Sequence, residues 1–94
     1  MIVVREVLIA KPGMAGKLAR MMKAIFSEMP NSRMKVMTDL TGKFNKVVME
    51  TEMDSLQAFE QRMQDYASNP MWRDKMSGYT EMYREGCREI YQII

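Results

Sequence analysis

Histidine is absent from this 94-residue chain, cysteine occurs once and proline three times. Each scarcity removes a class of chemistry. Without an imidazole there is no Ser-His-Asp or Cys-His relay, no usual zinc site, and no side chain that titrates unperturbed near neutral pH. A lone Cys87 cannot close an intrachain disulfide, so the chain is not a disulfide-stapled scaffold; with no imidazole partner, Cys87 is expected to be a small buried hydrophobe rather than a nucleophile. No apolar run approaches the roughly 20 residues that span a bilayer, and no leader-like series of charged, apolar and small residues stands at the start. The expected location is therefore the cytoplasm, with no membrane partner. Gly13 and Gly42 are isolated turn residues, so no phosphate-cradling loop is present and no cofactor is expected.

What the chain has in excess is methionine, thirteen residues of it. Methionine can line an adaptable pocket, but most of these fall where a core Leu or Ile would stand. The net charge of +2 conceals an imbalance: residues 1–47 hold nine Lys/Arg against three Asp/Glu, and residues 48–94 five against nine. The two halves could attract one another across an interface. The basic residues are scattered over several segments without interleaved aromatics, which argues against nucleic acid as a partner. Residues 1–94 suffice for a single domain with one core, near the size at which a second subunit supplies useful burial.

Ile2 to Ala10 is an apolar, β-branched run broken only by Arg5 and Glu6, and is expected to be a largely buried strand. Lys11-Pro12-Gly13 turns the chain. Met14, Leu18, Met21, Met22, Ile25, Phe26 and Met29 then recur at helical spacing, and Pro30 and Asn31 are expected to end that helix. Arg33 to Leu40 alternates, with Met34, Val36, Thr38 and Leu40 on one face; Thr41 to Phe44 is a hairpin connection. Asn45 to Met53 repeats the split, with Val47, Met49, Thr51 and Met53 opposite Lys46, Val48, Glu50 and Glu52.

Asp54 followed by Gln57 suggests a variant capping box for a helix whose stripe is Leu56, Phe59, Met63, Tyr66 and Ala67. Pro70 interrupts it, Ser68 or Asn69 can cap a new helical segment, and helical spacing resumes through Trp72, Met76, Tyr79 and Tyr83 until Gly86 stops it. Cys87 to Ile94 looks like a strand. The order βαββαβ predicts an α+β, ferredoxin-like fold: an antiparallel sheet with helices on one face. The bare face then needs a partner, and a second copy supplies a dimeric α+β barrel.

Three stretches resemble a known superfamily: the Lys11-Pro12-Gly13 turn, the Gly42-Lys43-Phe44-Asn45-Lys46-Val47 approach to the third strand, and Asp54-Ser55-Leu56 leading to Asn69-Pro70-Met71-Trp72. They look like the dimeric α+β barrels that include NIPSNAP-like and antibiotic-biosynthesis monooxygenase-like domains. The resemblance implies a homodimer with facing sheets, often with a pocket between each sheet and its own helices. It also implies a wide range of chemistry. Haem-degrading relatives use a His with Asn and Trp, and this chain offers Asn45 and Trp72 but no His. Cofactor-independent oxygenase relatives hold a phenolic substrate with Asn, Trp, Tyr and Arg; Asn45, Trp72, Tyr79 and Arg84 have those types, and only Asn45 and Trp72 stand in matching motif context.

From the residues alone, Tyr66, Trp72, Met76, Tyr79 and Tyr83 could form an aromatic wall for a small hydrophobic or aromatic molecule, with Arg84 and Arg5 as anion partners. The plainer reading of the same stripe is ordinary helix-to-sheet core. Glu50, Glu52 and Asp39 share a face and could in principle hold a hard cation, but Lys35 and Lys46 on that face suit a plain cross-strand charge network, and no metal site is expected. Three functions stay open: a homodimeric binding protein, a cofactor-independent monooxygenase, and a dimerisation module without ligand.

Overall fold

The computed structural model describes residues 1–29 and 33–94, so the expected helix stop at Pro30 and Asn31 lies outside the described residues. In chain order the elements are β1 (Ile2–Ala10), α1 (Ala15–Ser27), β2 (Lys35–Thr38), β3 (Lys46–Met53), α2 (Leu56–Ala67), α3 (Pro70–Lys75), a 3-10 turn at Tyr79–Glu81, and β4 (Tyr83–Gln92). The four strands form one antiparallel sheet in the order β2-β3-β1-β4, the ferredoxin-like arrangement expected from the element order.

Local chemistry accounts for the joints. Met14 N–H donates to the Lys11 carbonyl at 2.9 Å across Pro12 and Gly13, and Gly13 has φ of 80°. That is the signature of a type II turn, in which Pro sets the first central residue and only a residue free of a Cβ sits easily at the second. The cap of α2 is Ser55, whose hydroxyl accepts from Ala58 N–H at 3.1 Å, rather than the expected Asp54. Asn69 caps α3 through Met71 N–H at 2.9 Å, with Pro70 in the first turn, where its missing donor costs nothing.

The core sits between α1 and the two central strands. Leu18, Met22, Ile25 and Phe26 are buried against Leu8, Ala10, Val47 and Met49, and Leu18, Met22 and Val47 are entirely enclosed. All methionines except Met1, Met37 and Met71 pack into the core or line the space between the sheet and α2, so the core and the pocket-lining roles of methionine occur side by side.

Four expectations need correction. The helix continuing through Tyr83 to Gly86 ends at Lys75, because Gly78 at φ 86° reverses the chain; Tyr83 and Gly86 belong to β4. Leu40 is 97% exposed instead of facing the core, since β2 stops at Thr38 and Leu40 lies in the following bend. Cys87 is exposed, not buried, because β4 is an edge strand with little packed over it. On the bare sheet face the cation between the acids is Arg5, 2.7 Å from Glu50 and 3.7 Å from Glu89, while Asp39 accepts the backbone N–H of Lys46 at 2.8 Å.

Candidate functional site

Between the sheet and the helices lies a cavity of about 450 Å³. Its floor is the inward row of the strands: Val4, Glu6 and Leu8 from β1, Met49, Thr51 and Met53 from β3, Gly86 and Arg88 from β4. One wall is α2, which presents Phe59, Arg62, Met63 and Tyr66, residues spaced to fall on a single helix face. Trp72 and Met76 from α3 and its end, and Tyr79 and Tyr83 beyond it, complete the lining of this half-open cavity opposite Met22 and Phe26 of α1.

The aromatic groups occur in two stacks. Tyr66 and Trp72 lie nearly parallel, with ring centroids 4.5 Å apart, and Phe26 tilts against Trp72 at 5.2 Å. Tyr79 and Tyr83 stack at 5.6 Å. Such pairs stabilise by about 0.5–1.5 kcal/mol each beyond area burial, which fixes a short helix such as α3 that buries no residue fully. Arg73 helps by donating two hydrogen bonds, at 2.9 and 3.2 Å, to the Ala67 carbonyl at the end of α2.

Tyr83 reaches the cavity through a β-bulge. Ala10 pairs with Tyr83 but Ile9 with Glu85, so Arg84 is the extra residue. One inserted residue reverses the inward-outward alternation, turning Tyr83 to the same side as Gly86 and leaving Arg84 exposed and off the cavity.

The polar contribution is concentrated at the β1–β4 pair. Glu6 and Arg88 are register partners, and Arg88 Nε donates to the Glu6 carboxylate. The guanidinium also lies over the Phe59 ring, 5.1 Å from its centroid. Partial burial pushes the Tyr79 hydroxyl above its usual pKa, reinforced by Tyr83 and the Glu6 charge; burial does the same to Tyr66, opposed by the positive charge of Arg62. Both phenols therefore stay protonated donors across the neutral range.

Of the residues singled out in the sequence, Tyr66, Trp72, Met76, Tyr79 and Tyr83 are brought together in the cavity. Arg5, Asn45 and Arg84 are not. Arg5 projects from the opposite face, where Glu50 and Glu89 hold it and raise its pKa. Asn45 sits in the left-handed region, φ 63°, just ahead of β3, and its carbonyl accepts from Ala10 N–H at 2.8 Å; this is a turn role. The residue pattern did not single out Glu6, Arg62 or Arg88. Glu6 shares its strand parity with Val4 and Leu8, a signal that was available; Arg88 could be placed only with the β1–β4 register known.

At Gly86 a Cβ would stand 2.7 Å from Leu8 Cδ2, so a side chain there obliges the buried Leu8 to turn aside. Gly86→Val is expected to destabilise the chain by about 1–3 kcal/mol through overpacking, measured as a lower urea midpoint with unchanged slope.

Solved structures share this fold closely. An uncharacterized NIPSNAP domain protein from Burkholderia xenovorans superposes with a TM-score of 0.86 at 14% identity, covering 100% of this chain and 95% of its own. A NIPSNAP family protein from Agrobacterium tumefaciens also gives 0.86, at 13% identity, over 99% of this chain and 85% of its own. A putative antibiotic biosynthesis monooxygenase from Deinococcus radiodurans gives 0.72 at 14% identity, over 99% and 92%. At these identities the likeness is one of fold, and the fold is the one the sequence resemblance implied. No family model and no curated protein matches the sequence.

Proposed function

We propose that this chain is a homodimeric α+β barrel protein that holds a small hydrophobic or aromatic molecule between its sheet and its helices. The observation that carries the reading is the cavity itself: about 450 Å³, walled by two aromatic stacks and thioethers, with a few convergent polar groups. That is room for a bicyclic or tricyclic ring system, and the flat Tyr66–Trp72 and Tyr79–Tyr83 surfaces suit one.

The homodimer is supported by the opposite face of the sheet. Val7, Val48 and Met37 stand there around the Arg5–Glu50–Glu89 group, an apolar centre with embedded charge that two facing sheets would bury. Native mass spectrometry on gently purified protein is expected to show a dimer retaining extra small-molecule mass. A monomer would remove the facing-sheet part of the proposal. Val48→Asp, which puts an unpaired charge at the centre of that face, is expected to shift the dimer to monomer in size-exclusion light scattering with the circular dichroism preserved.

Oxygenase chemistry of the kind named for the Deinococcus radiodurans neighbour is less well supported. Of Asn45, Trp72, Tyr79 and Arg84, the cavity receives only Trp72 and Tyr79. On the binding reading, Asn45→Ala leaves ligand affinity unchanged; on the oxygenase reading it abolishes oxygen uptake with an activated phenol.

A further inference from the structure

We propose that the ligand of this cavity is a planar aromatic monoanion, a ring system bearing one carboxylate, and that Arg62 is the residue that selects the charge. The inference rests on the cavity reading above and adds its charge specificity. Three ionised side chains line the cavity: Glu6, Arg62 and Arg88. Glu6 and Arg88 neutralise one another as a hydrogen-bonded pair, and Arg88 is further committed to the Phe59 face. Arg62 is the charge left over. Among the described residues it makes no ion pair; Glu52 and Asp54 border a neighbouring surface hollow that Arg62 also reaches, but neither lies within ion-pair distance of it.

Arg62 is also well placed. It precedes Tyr66 by four residues on α2, so the two side chains share a face, and its positive charge is felt at the Tyr66 hydroxyl. A ring lying against the Tyr66–Trp72 stack would present an acidic substituent to the guanidinium, whose planar fork matches a carboxylate in two parallel hydrogen bonds. The lining of this half-open cavity then carries one net positive charge among mostly apolar groups. A neutral ring would gain nothing from that charge, and a dianion would meet Glu6.

The test is isothermal titration calorimetry with 2-naphthoate and its neutral counterpart 2-naphthamide, with emission of Trp72, the single tryptophan, as the site reporter. The wild type is expected to bind 2-naphthoate about tenfold or more tightly than 2-naphthamide, the worth of a charge-assisted hydrogen bond. Arg62→Gln should weaken 2-naphthoate far more than 2-naphthamide and so bring the two affinities together. Glu6→Gln, which deletes the one negative charge of the lining, should tighten 2-naphthoate. Equal affinities in the wild type, or an Arg62→Gln variant that weakens both compounds alike, would overturn the charge selection while leaving the cavity reading in place. If neither compound binds, the cavity does not seat a planar aromatic ring and this proposal falls, while small-molecule mass retained in native mass spectrometry decides separately whether the cavity reading stands.

Discussion

Leu18→Ala is expected to cost about 2–5 kcal/mol of folding free energy, the range for removing a fully enclosed leucine and leaving a void. In a domain of this size that lowers the melting temperature by about 10–30 °C. Leu18 is wholly buried between α1 and the central strands, with Met22 and Val47 equally enclosed beside it. Nothing in α2 or α3 is comparable, since neither helix contains a fully buried residue. Phe59→Ala, on the cavity side of α2, should therefore cost clearly less than Leu18→Ala although it deletes a larger group. Thermal melts of the two variants side by side test this. Equal losses would mean that α2 is as firmly docked as α1.

The contrast divides the molecule into two layers of work. The sheet and α1 hold the fold; α2, α3 and the 3-10 turn cover a cavity that the core does not fill. The helices over the cavity stay in place through aromatic stacks, the Arg73 bonds to Ala67 and the Lys75–Glu28 ion pair between α3 and the end of α1. These joints are fewer than a close-packed core supplies. Loosely filled walls are what a protein needs if a ligand is to enter without unfolding it.

The elements that could be read from the sequence are those whose signal is long and has a single period. The β1 run, the α1 stripe and the alternation of β3 all translated directly into buried faces. The stretch from Trp72 to Tyr83 misled because its spacing is helical while its backbone is not: Gly78 takes a left-handed conformation and the helix stops three residues earlier. Its four side chains nonetheless converge on one cavity, two from α3 and its end, one from the 3-10 turn and one from a bulged strand. The aromatic wall was thus legible as a set, but not its cause. Arg88 was hidden for a related reason. Its pairing with Glu6 follows from the β1–β4 register beside a bulge at Arg84, and a bulge leaves no mark in the residue pattern. Arg5 and Arg84 were plausible by charge type alone, and charge type says nothing about which face of a strand a side chain takes.

Trp72→Ala is the substitution that separates wall from core. Trp72 closes the cavity while joining α3 to α2 through Tyr66 and to α1 through Phe26. Losing both ring contacts should destabilise the chain by about 1–3 kcal/mol, taking each pair at 0.5–1.5 kcal/mol, in addition to the lost burial of the indole itself. If Trp72 were only a packing residue, that would be the whole effect, and ligand affinity measured well below the melting transition would be unchanged. As a stacking surface for an aromatic ring it should do more: 2-naphthoate affinity is expected to fall by about tenfold or more in the cold, where the variant is folded, because the bound ring loses a partner worth about 1 kcal/mol or more in stacking and also the ordered face of Tyr66. Trp72→Phe keeps a ring and α3 docking, so it should recover most of the stability and part of the affinity. Calorimetric titration of the three proteins at one low temperature, each paired with its thermal melt, gives both readouts. Affinity that tracks stability across the series would return the stripe to the core; affinity lost while the fold persists identifies the stack as the ligand's seat.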